Sequence, residues 1–352
     1  MRAASVRLRR YALPLKQPWR AASATLVLRR GMLIGVADGE GRIGWGDCAP
    51  LPSSGESGHA RAFAALERAA FFLRDIDPDA ALARLDEVQS AEARWAVETA
   101  LLDLTCRARK IALRRWRRGA AADDIAVNAA LGPLDEDCLG RAEAAQEQAF
   151  VFGKIKVGLG AAAEEARLLR RLAERAGSLR LRLDANRAWS EREAREFFIA
   201  VADLPIDGVE EPLAHPTLAG LRRLQQEVPF AIAVDESLFE LGADRIFSEG
   251  AAHRLVLKPA RIGGFAATAR LAERAAAVGM EVVITSVVDS AIGVGAAAQL
   301  AAAVGGAQAH GLATGAWLAE DVAPAPLLRA GRMSLPDGYG LGIAPCGDFA
   351  KG

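Results

Sequence analysis
RLRLDANRAW (180–189), IDGVEEP (206–212) and AIAVDES (231–237) are three apolar runs that each lead into an acid: Asp184, Glu210 and Asp235. The acids stand 26 and then 25 residues apart. A strand, a loop, a helix and a return loop occupy about that length in an eight-unit α/β barrel of roughly 250 residues. The spacing therefore predicts equivalent positions at the ends of three successive parallel strands. In a (β/α)8 barrel those C-terminal ends converge on one mouth. Three carboxylates there repel one another unless a cation lies between them. An all-oxygen donor set selects a hard ion, Mg²⁺ before Mn²⁺.

The period runs on in both directions. Upstream, VFGKIKVG (151–158) carries Lys154 and Lys156. Alternate residues of a strand share a face, so both ammonium groups point the same way. Downstream, HRLVLKPARIGG (253–264) places Lys258 one unit past Asp235. The strands are expected around 125–131, 151–157, 180–184, 206–210, 231–235, 254–258, 281–286 and 309–314. Between them, stretches such as AAEEARLLRRLAERAG (162–177) and FAATARLAERAAAVG (265–279) have helical apolar spacing and end in Gly. Alternating strands and helices predict a parallel sheet, and the regular step predicts its closure into a barrel.

The first 120 residues read differently. ATLVLRRGMLIGVAD (24–38) and DGEGRIGWGD (38–47) look like antiparallel strands with a Gly-rich turn, and 57–110 has helical spacing. Strands first and helices after predict an α+β unit. The expected fold class is thus α/β, a modified (β/α)8 barrel over 121–320. An α+β capping domain over 1–120 is completed by the tail 321–352. GDCAPLPSSGES (46–57) is turn-rich and is expected to cover the barrel mouth.

Forty-four basic and 44 acidic residues balance, which gives no reason to expect nucleic acid or an anionic membrane as partner. The basic run RKIALRRWRRG (109–119) reads as a solvated helix end. Cys48, Cys106, Cys138 and Cys346 lack CxxC spacing and read as reduced thiols. No apolar run is long enough for a membrane span and the N-terminal stretch lacks a signal-peptide core, so a cytoplasmic location is expected. His59, His215, His253 and His310 have no metal-ligand spacing. GLGAAA (158–163) lacks the full spacing of a nucleotide loop. The pattern fits a monomer and a homo-oligomer alike.

One strand-end acid is commonly a helix cap or surface group. Five charged residues on successive strand ends form a pattern with a chemistry. Lysine is a poor base at its free pKa of about 10.4, but a neighbouring ammonium or burial lowers it. Lys154 would be that neighbour and Lys156 the working base. A divalent ion would bind a substrate carboxylate, and Lys258 would approach from another strand. A lysine base with a metal is a known solution for removing a proton α to a carboxylate.

KIK, LRLDAN, VEEP, VDES and LKP together resemble the enolase superfamily, in its muconate-lactonizing-enzyme-like subgroup. The resemblance spans essentially the whole chain. It implies Lys154, Lys156 and Lys258 as catalytic residues, Asp184, Glu210 and Asp235 as Mg²⁺ ligands with Mn²⁺ as a substitute, and a small carboxylate substrate. Within the subgroup, RYALPLKQPW, the RRG at 29–31, GWGDCAPLP, RLDANRAW and LVLKPARIGG look like the o-succinylbenzoate synthase family. That resemblance implies substrate contacts from Arg182, Asn186, Ser286, Asp289 and Ser290. It also implies a Mg²⁺-dependent syn dehydration serving menaquinone biosynthesis. Asp47 stands where such relatives have Glu and is given no catalytic role. Dipeptide epimerases and N-acylamino acid racemases share the lysines and acids and are the alternatives, with a non-catalytic binding barrel more remote. The Asp-x-Asp expected of dipeptide epimerases after the seventh strand is absent; ITSVVDSAIG (284–293) stands there.

Overall fold
A computed structural model describes residues 2–21, 24–117 and 121–349. Residue 120, at the expected domain boundary, lies outside them, as do Arg118 and Gly119 of the basic run and 350–352 of the tail.

The chain opens with an antiparallel sheet of β1 (Ala3–Ala21), β2 (Ala24–Asp38) and β3 (Ile43–Cys48). Helices α1 (Gly55–Phe72), α2 (Pro78–Leu82) and α3 (Ala91–Ala108) follow. Met32, Ile34 and Val36 alternate onto one face of β2 and pack with Leu66, Val97 and Leu101 of α1 and α3. A Cβ at Gly44 or Gly46 would overlap the backbone of α3 at Ala100 and Ala96, so these two glycines let β3 press directly on the helix.

After a short strand β4 (Asp124–Ala126) come β5 (Ala129–Pro133), α4 (Glu136–Glu147), β6 (Phe152–Lys156), α5 (Ala162–Arg175), β7 (Arg180–Asp184), α6 (Glu191–Val201), β8 (Ile206–Glu210), α7 (Leu218–Glu227) and β9 (Ala231–Val234). They are followed by α8 (Ser237–Leu241), α9 (Ala243–Glu249), β10 (Arg254–Leu257), α10 (Pro259–Ile262), α11 (Phe265–Ala277), β11 (Glu281–Ile284) and α12 (Ala291–Val304). Strands β5 to β11 form one parallel sheet in sequence order. The eighth expected strand, 309–314, contributes only single bridge pairs: His310 to Val127 and Gly311 to Thr285, both parallel. Those pairs link the two edges of the sheet. The first expected strand, 125–131, is divided. Residues 124–126 pair with β13 (Arg332–Ser334) of the tail, beside β12 (Leu328–Arg329), and the barrel strand proper starts at Ala129.

The barrel core fills the space between strands and helices, with Leu181, Leu183, Phe197 and Ile232 among its fully buried members. A second cluster joins Tyr11, Leu13 and Trp45 of the first sheet to Trp95, Phe265, Ile292 and Leu300. Helix α12 is buried along nearly its whole length between the two parts. Glu98 of α3 receives the amide N–H groups of Phe265 (2.6 Å) and Ala266 (3.1 Å), which caps α11 from the other unit. Buried Asp103 of α3 receives the amides of Trp45 (2.8 Å) and Leu341 (2.7 Å). Arg114 departs from the solvated reading of the basic run. It is buried and donates to Asp123 and the Pro336 carbonyl. All four cysteines are free, and only Cys346 is exposed. Among the described residues, no helix is long and apolar enough to cross a membrane.

His310 supplies an acid-sensitive point. It is buried, and its Nδ1 accepts the Ile284 amide at 3.0 Å. Burial, with nearby Arg182, pushes its pKa down to about 4. The unfolded chain takes up that proton near pH 6.5. The contribution is therefore complete above about pH 6.5 and falls by about 1.4 kcal/mol per pH unit toward pH 4. Urea unfolding of His310→Gln should lose this part of the acid slope. An unchanged slope between pH 6.5 and 4 would refute it.

Candidate active site
The alternation in β6 settles where the lysines go. Gly153 and Ile155 are buried away from the mouth, while Lys154 and Lys156 share the inward face. Lys156, Asp184 and Glu210 are register neighbours across β6, β7 and β8. Asp235 follows β9, and Lys258 follows β10. All six groups meet at the C-terminal strand ends. Lys154 Nζ donates to Glu210 Oε2 at 2.7 Å and lies 3.1 Å from Asp184 Oδ2. Lys156 Nζ reaches Asp184 Oδ2 at 3.2 Å and Asn186 Oδ1 at 2.5 Å. Lys258 is paired with Asp235.

The electrostatics follow from burial and this interleaving. Burial opposes the charge on Lys154, but Asp184 and Glu210 outweigh it and raise its pKa. Burial likewise opposes ionised Asp184, and Lys154 and Lys156 outweigh it and hold the carboxyl well below its usual range. Lys258 is pushed down to about 8, first by burial, with Lys154 and Lys156 adding to it against the pull of Glu210 and Asp184.

A cavity of about 380 Å³ opens over these groups. Its wall includes Lys154, Lys156, Asp184, Asn186, Lys258 and Ser286. Leu51, Pro52 and Ser53 of the turn-rich stretch line it from above. Ser286 Oγ is 2.8 Å from Thr314 Oγ1 at the same wall.

Three expected contact residues are placed elsewhere. Arg182 shares the inward face with Asp184 but lies one layer deeper. Its guanidinium donates to Asp207 (2.8 Å), the Ala309 carbonyl (2.5 Å) and Gln308 (2.9 Å). Ser290 is fully buried, receives the Gly293 amide as the cap of α12 and donates to Asp47 Oδ2 at 2.7 Å. Asp289 turns to Arg29, 2.7 Å away. In the Gly-rich turn, the amides of Gly158, Leu159 and Gly160 are taken by the Glu165 carboxylate, so no phosphate cradle forms there.

Other residues at the mouth carry no spacing signal of their own. Glu211, beside the expected ligand Glu210, receives the amides of Asp235 (2.7 Å) and Ser237 (2.8 Å) and so orients the Asp235 loop. Arg187 bonds Glu211 at 3.2 Å and Glu240 at 2.6 Å. Asn186, Arg187 and Glu211 have φ of 44°, 65° and 47°, a left-handed backbone concentrated at the strand ends. Glu236 lines the cavity with a buried Oε2 that has no hydrogen-bond partner. Burial, then Glu210, Glu211 and Asp184, push its pKa up to about 7.

As the side chains stand, no three acid, His or Cys groups among the described residues converge tightly enough to hold a metal ion. Lys154 and Lys258 lie against the acids instead. The donor set nevertheless fits a hard cation. Three carboxylates end neighbouring strands, and the unpartnered Glu236 oxygen is crowded by like charges that a cation would relieve.

A family model described as "Enolase C-terminal domain-like" matches residues 138–349. The L-Ala-D/L-Glu epimerase of Bacillus subtilis (strain 168) is 27% identical over 348 residues, 95% of this chain and 94% of that one. The o-succinylbenzoate synthase of Yersinia enterocolitica (serotype O:8 / biotype 1B) is 30% identical over 314 residues, 86% of each chain. The dipeptide epimerase of Enterococcus faecalis V583, solved with Mg and the dipeptide L-Leu-L-Tyr, has a TM-score of 0.86 at 24% identity and covers 98% of this chain and 100% of that one. Lyase and epimerase relatives stand at similar distance, so they establish the lineage and not the reaction. On the matched residues and these relatives, this chain belongs to the enolase superfamily, in its muconate-lactonizing-enzyme subgroup, and is an enzyme of that kind.

Proposed function
We propose that this chain is an o-succinylbenzoate synthase. It would dehydrate 2-succinyl-6-hydroxy-2,4-cyclohexadiene-1-carboxylate to o-succinylbenzoate and water. One observation carries the choice over an epimerase of free dipeptides. The wall after β11 offers Thr285, Ser286, Val287 and Val288 to the cavity, while the Asp289 carboxylate is bound to Arg29. No free acid stands on that segment to receive a substrate ammonium. A wall segment without a free carboxylate suits a substrate that brings no ammonium group to it.

Asp184, Glu210 and Asp235 would hold Mg²⁺, which supplies positive charge at the ring carboxylate and favours loss of the α-proton. Lys156 takes that proton. Asn186 Oδ1, 2.5 Å from Nζ, orients the amine. Lys258 keeps a cation beside the charge that develops on the ring. Lys154 is tied to two carboxylates, so its part is to position Asp184 and Glu210 and not to act as base. The protonated Lys156 then gives its proton to the departing hydroxyl on the same face. Water leaves and the ring becomes aromatic. Leu51–Ser53 would cover the mouth and keep bulk water out.

The test is purified protein with the cyclohexadiene substrate and Mg²⁺, with aromatisation followed by absorbance. The rival is racemisation of N-succinylamino acids, in which Lys156 and Lys258 act on opposite faces. Lys258→Arg separates them, because a guanidinium keeps the charge but is no base near neutral pH. The synthase should keep measurable dehydration in this variant, whereas a two-base racemase loses one direction. Racemisation without dehydration in the wild type would overturn the assignment.

A further inference from the structure
The RRG motif at 29–31 has a use that the chemistry above does not absorb. Arg29 lies on β2 of the capping sheet and is 1% exposed. Four of its side-chain hydrogen bonds go to two segments of the cavity wall, and a fifth runs from Nη1 to the Arg30 carbonyl at 3.3 Å. Nη1 donates to the Pro50 carbonyl and Nη2 to the Ala49 carbonyl, both at 2.6 Å. On the other side, Nε donates to the Val288 carbonyl at 3.2 Å and Nη2 to Asp289 Oδ1 at 2.7 Å. Leu51–Ser53 continue directly from the first segment into the cavity roof, and Ser286–Val288 form the wall beside the second.

Val288 supplies a separate observation. It has φ 49°, a left-handed conformation that a β-branched residue avoids. Such strain persists where the surroundings over-determine it, and it gathers at binding sites. The bond from Arg29 to the Val288 carbonyl is part of that constraint. Around the guanidinium the cluster is closed. Asp47 accepts from Tyr11 (2.8 Å) and Ser290 (2.7 Å), and half-buried Asp289 pairs with the arginine.

We propose that Arg29 is a positioning residue that clasps the roof segment 49–53 to the strained loop 286–289, and that this clasp sets the wall on which the substrate's tail rests. The tail is the succinyl arm, so this part rests on the synthase reading. A lysine could not replace the arginine. Its point charge has three donors and cannot span four acceptors on two segments.

The test compares wild type, Arg29→Lys and Asp289→Asn. Amide hydrogen exchange at 49–53 and 286–288 should accelerate together by about tenfold or more in Arg29→Lys. KM for the cyclohexadiene substrate should rise by about tenfold, with kcat within about threefold. Binding of o-succinylbenzoate should weaken by a similar factor, while binding of benzoate, which lacks the arm, stays unchanged. Asp289→Asn keeps the carbonyl bonds and should move the same readouts in the same direction by less, which covers the case of an Arg29→Lys protein that does not fold. Accelerated exchange in only one segment, or equal weakening of both ligands, would overturn the clasp. A wild type that neither dehydrates the diene nor binds o-succinylbenzoate would instead defeat the synthase reading, and the exchange experiment would still decide for or against Arg29.

Discussion

Lys156→Ala will bring dehydration down by about 10⁴-fold or more, because one amine carries both proton transfers and each general-acid or general-base step is worth about 10²–10⁴. Few other replacements should do as much. Lys156 lies at the cavity wall and its ammonium bonds two groups, Asp184 and Asn186, of which Asp184 keeps Lys154 as a partner. The fold should therefore survive, and thermal unfolding of the variant should stay near that of wild type. Lys156→Arg should be nearly as inactive, since the charge returns without a usable base. Single-turnover absorbance with excess enzyme is the measurement that isolates chemistry from binding. A residual rate within tenfold of wild type would mean that the base lies elsewhere.

Removing the cation should have an effect of similar scale. Excess chelator is expected to lower kcat/KM by at least about 10²–10³, the scale seen when one electrostatic stabiliser is lost, with recovery on adding Mg²⁺ or Mn²⁺. Glu210→Gln should reproduce the loss. Calorimetry provides a reading independent of turnover. A ligand that binds only the folded state raises Tm with its concentration, so Mg²⁺ should stabilise wild type and leave Glu210→Gln unmoved. The variant itself should fold well, because Glu210 is one of the charges crowding the half-buried Glu236. Full activity in excess chelator, or an equal Mg²⁺ shift in both proteins, would exclude this site.

The barrel was legible because its period is long and its strands are short. Each apolar run of about five residues had to be followed by a helix and a return, and the acids marked the same end of each. What the period could not give was partnership at long range. The chain at 124–126 reads like the start of a barrel strand, yet it pairs with 332–334, and no local signal separates those fates. The run 309–314 closes the barrel with bridge pairs where a full strand was expected.

The same limit shaped the reading of the site. Alternation assigns a residue to a face but not to a depth. Arg182 and Asp184 point the same way, and only the neighbouring strands decide that one meets Asp207 below while the other meets the lysines above. Asp289 and Ser290 stand in the right loop, but Arg29 and Asp47, more than 240 positions away, claim them. Glu236 was in plain sight in VDES. That its Oε2 is buried without a hydrogen-bond partner is a property of the folded mouth and not of the motif.

The contact of Asp103 with Leu341 has a temporal side. The two residues are 238 positions apart in the chain. At roughly 5–20 residues per second, synthesis separates them by roughly 10–50 s. During that interval β3 and α3 have an ionisable group in their midst and one of its amide donors not yet in existence. Arg107 waits in the same way for the Ile343 carbonyl. The unit that begins the polypeptide is thus among the last to be finished. A ribosome stalled before residue 340 would therefore present the Asp103 carboxylate without the Leu341 amide and Arg107 without the Ile343 carbonyl.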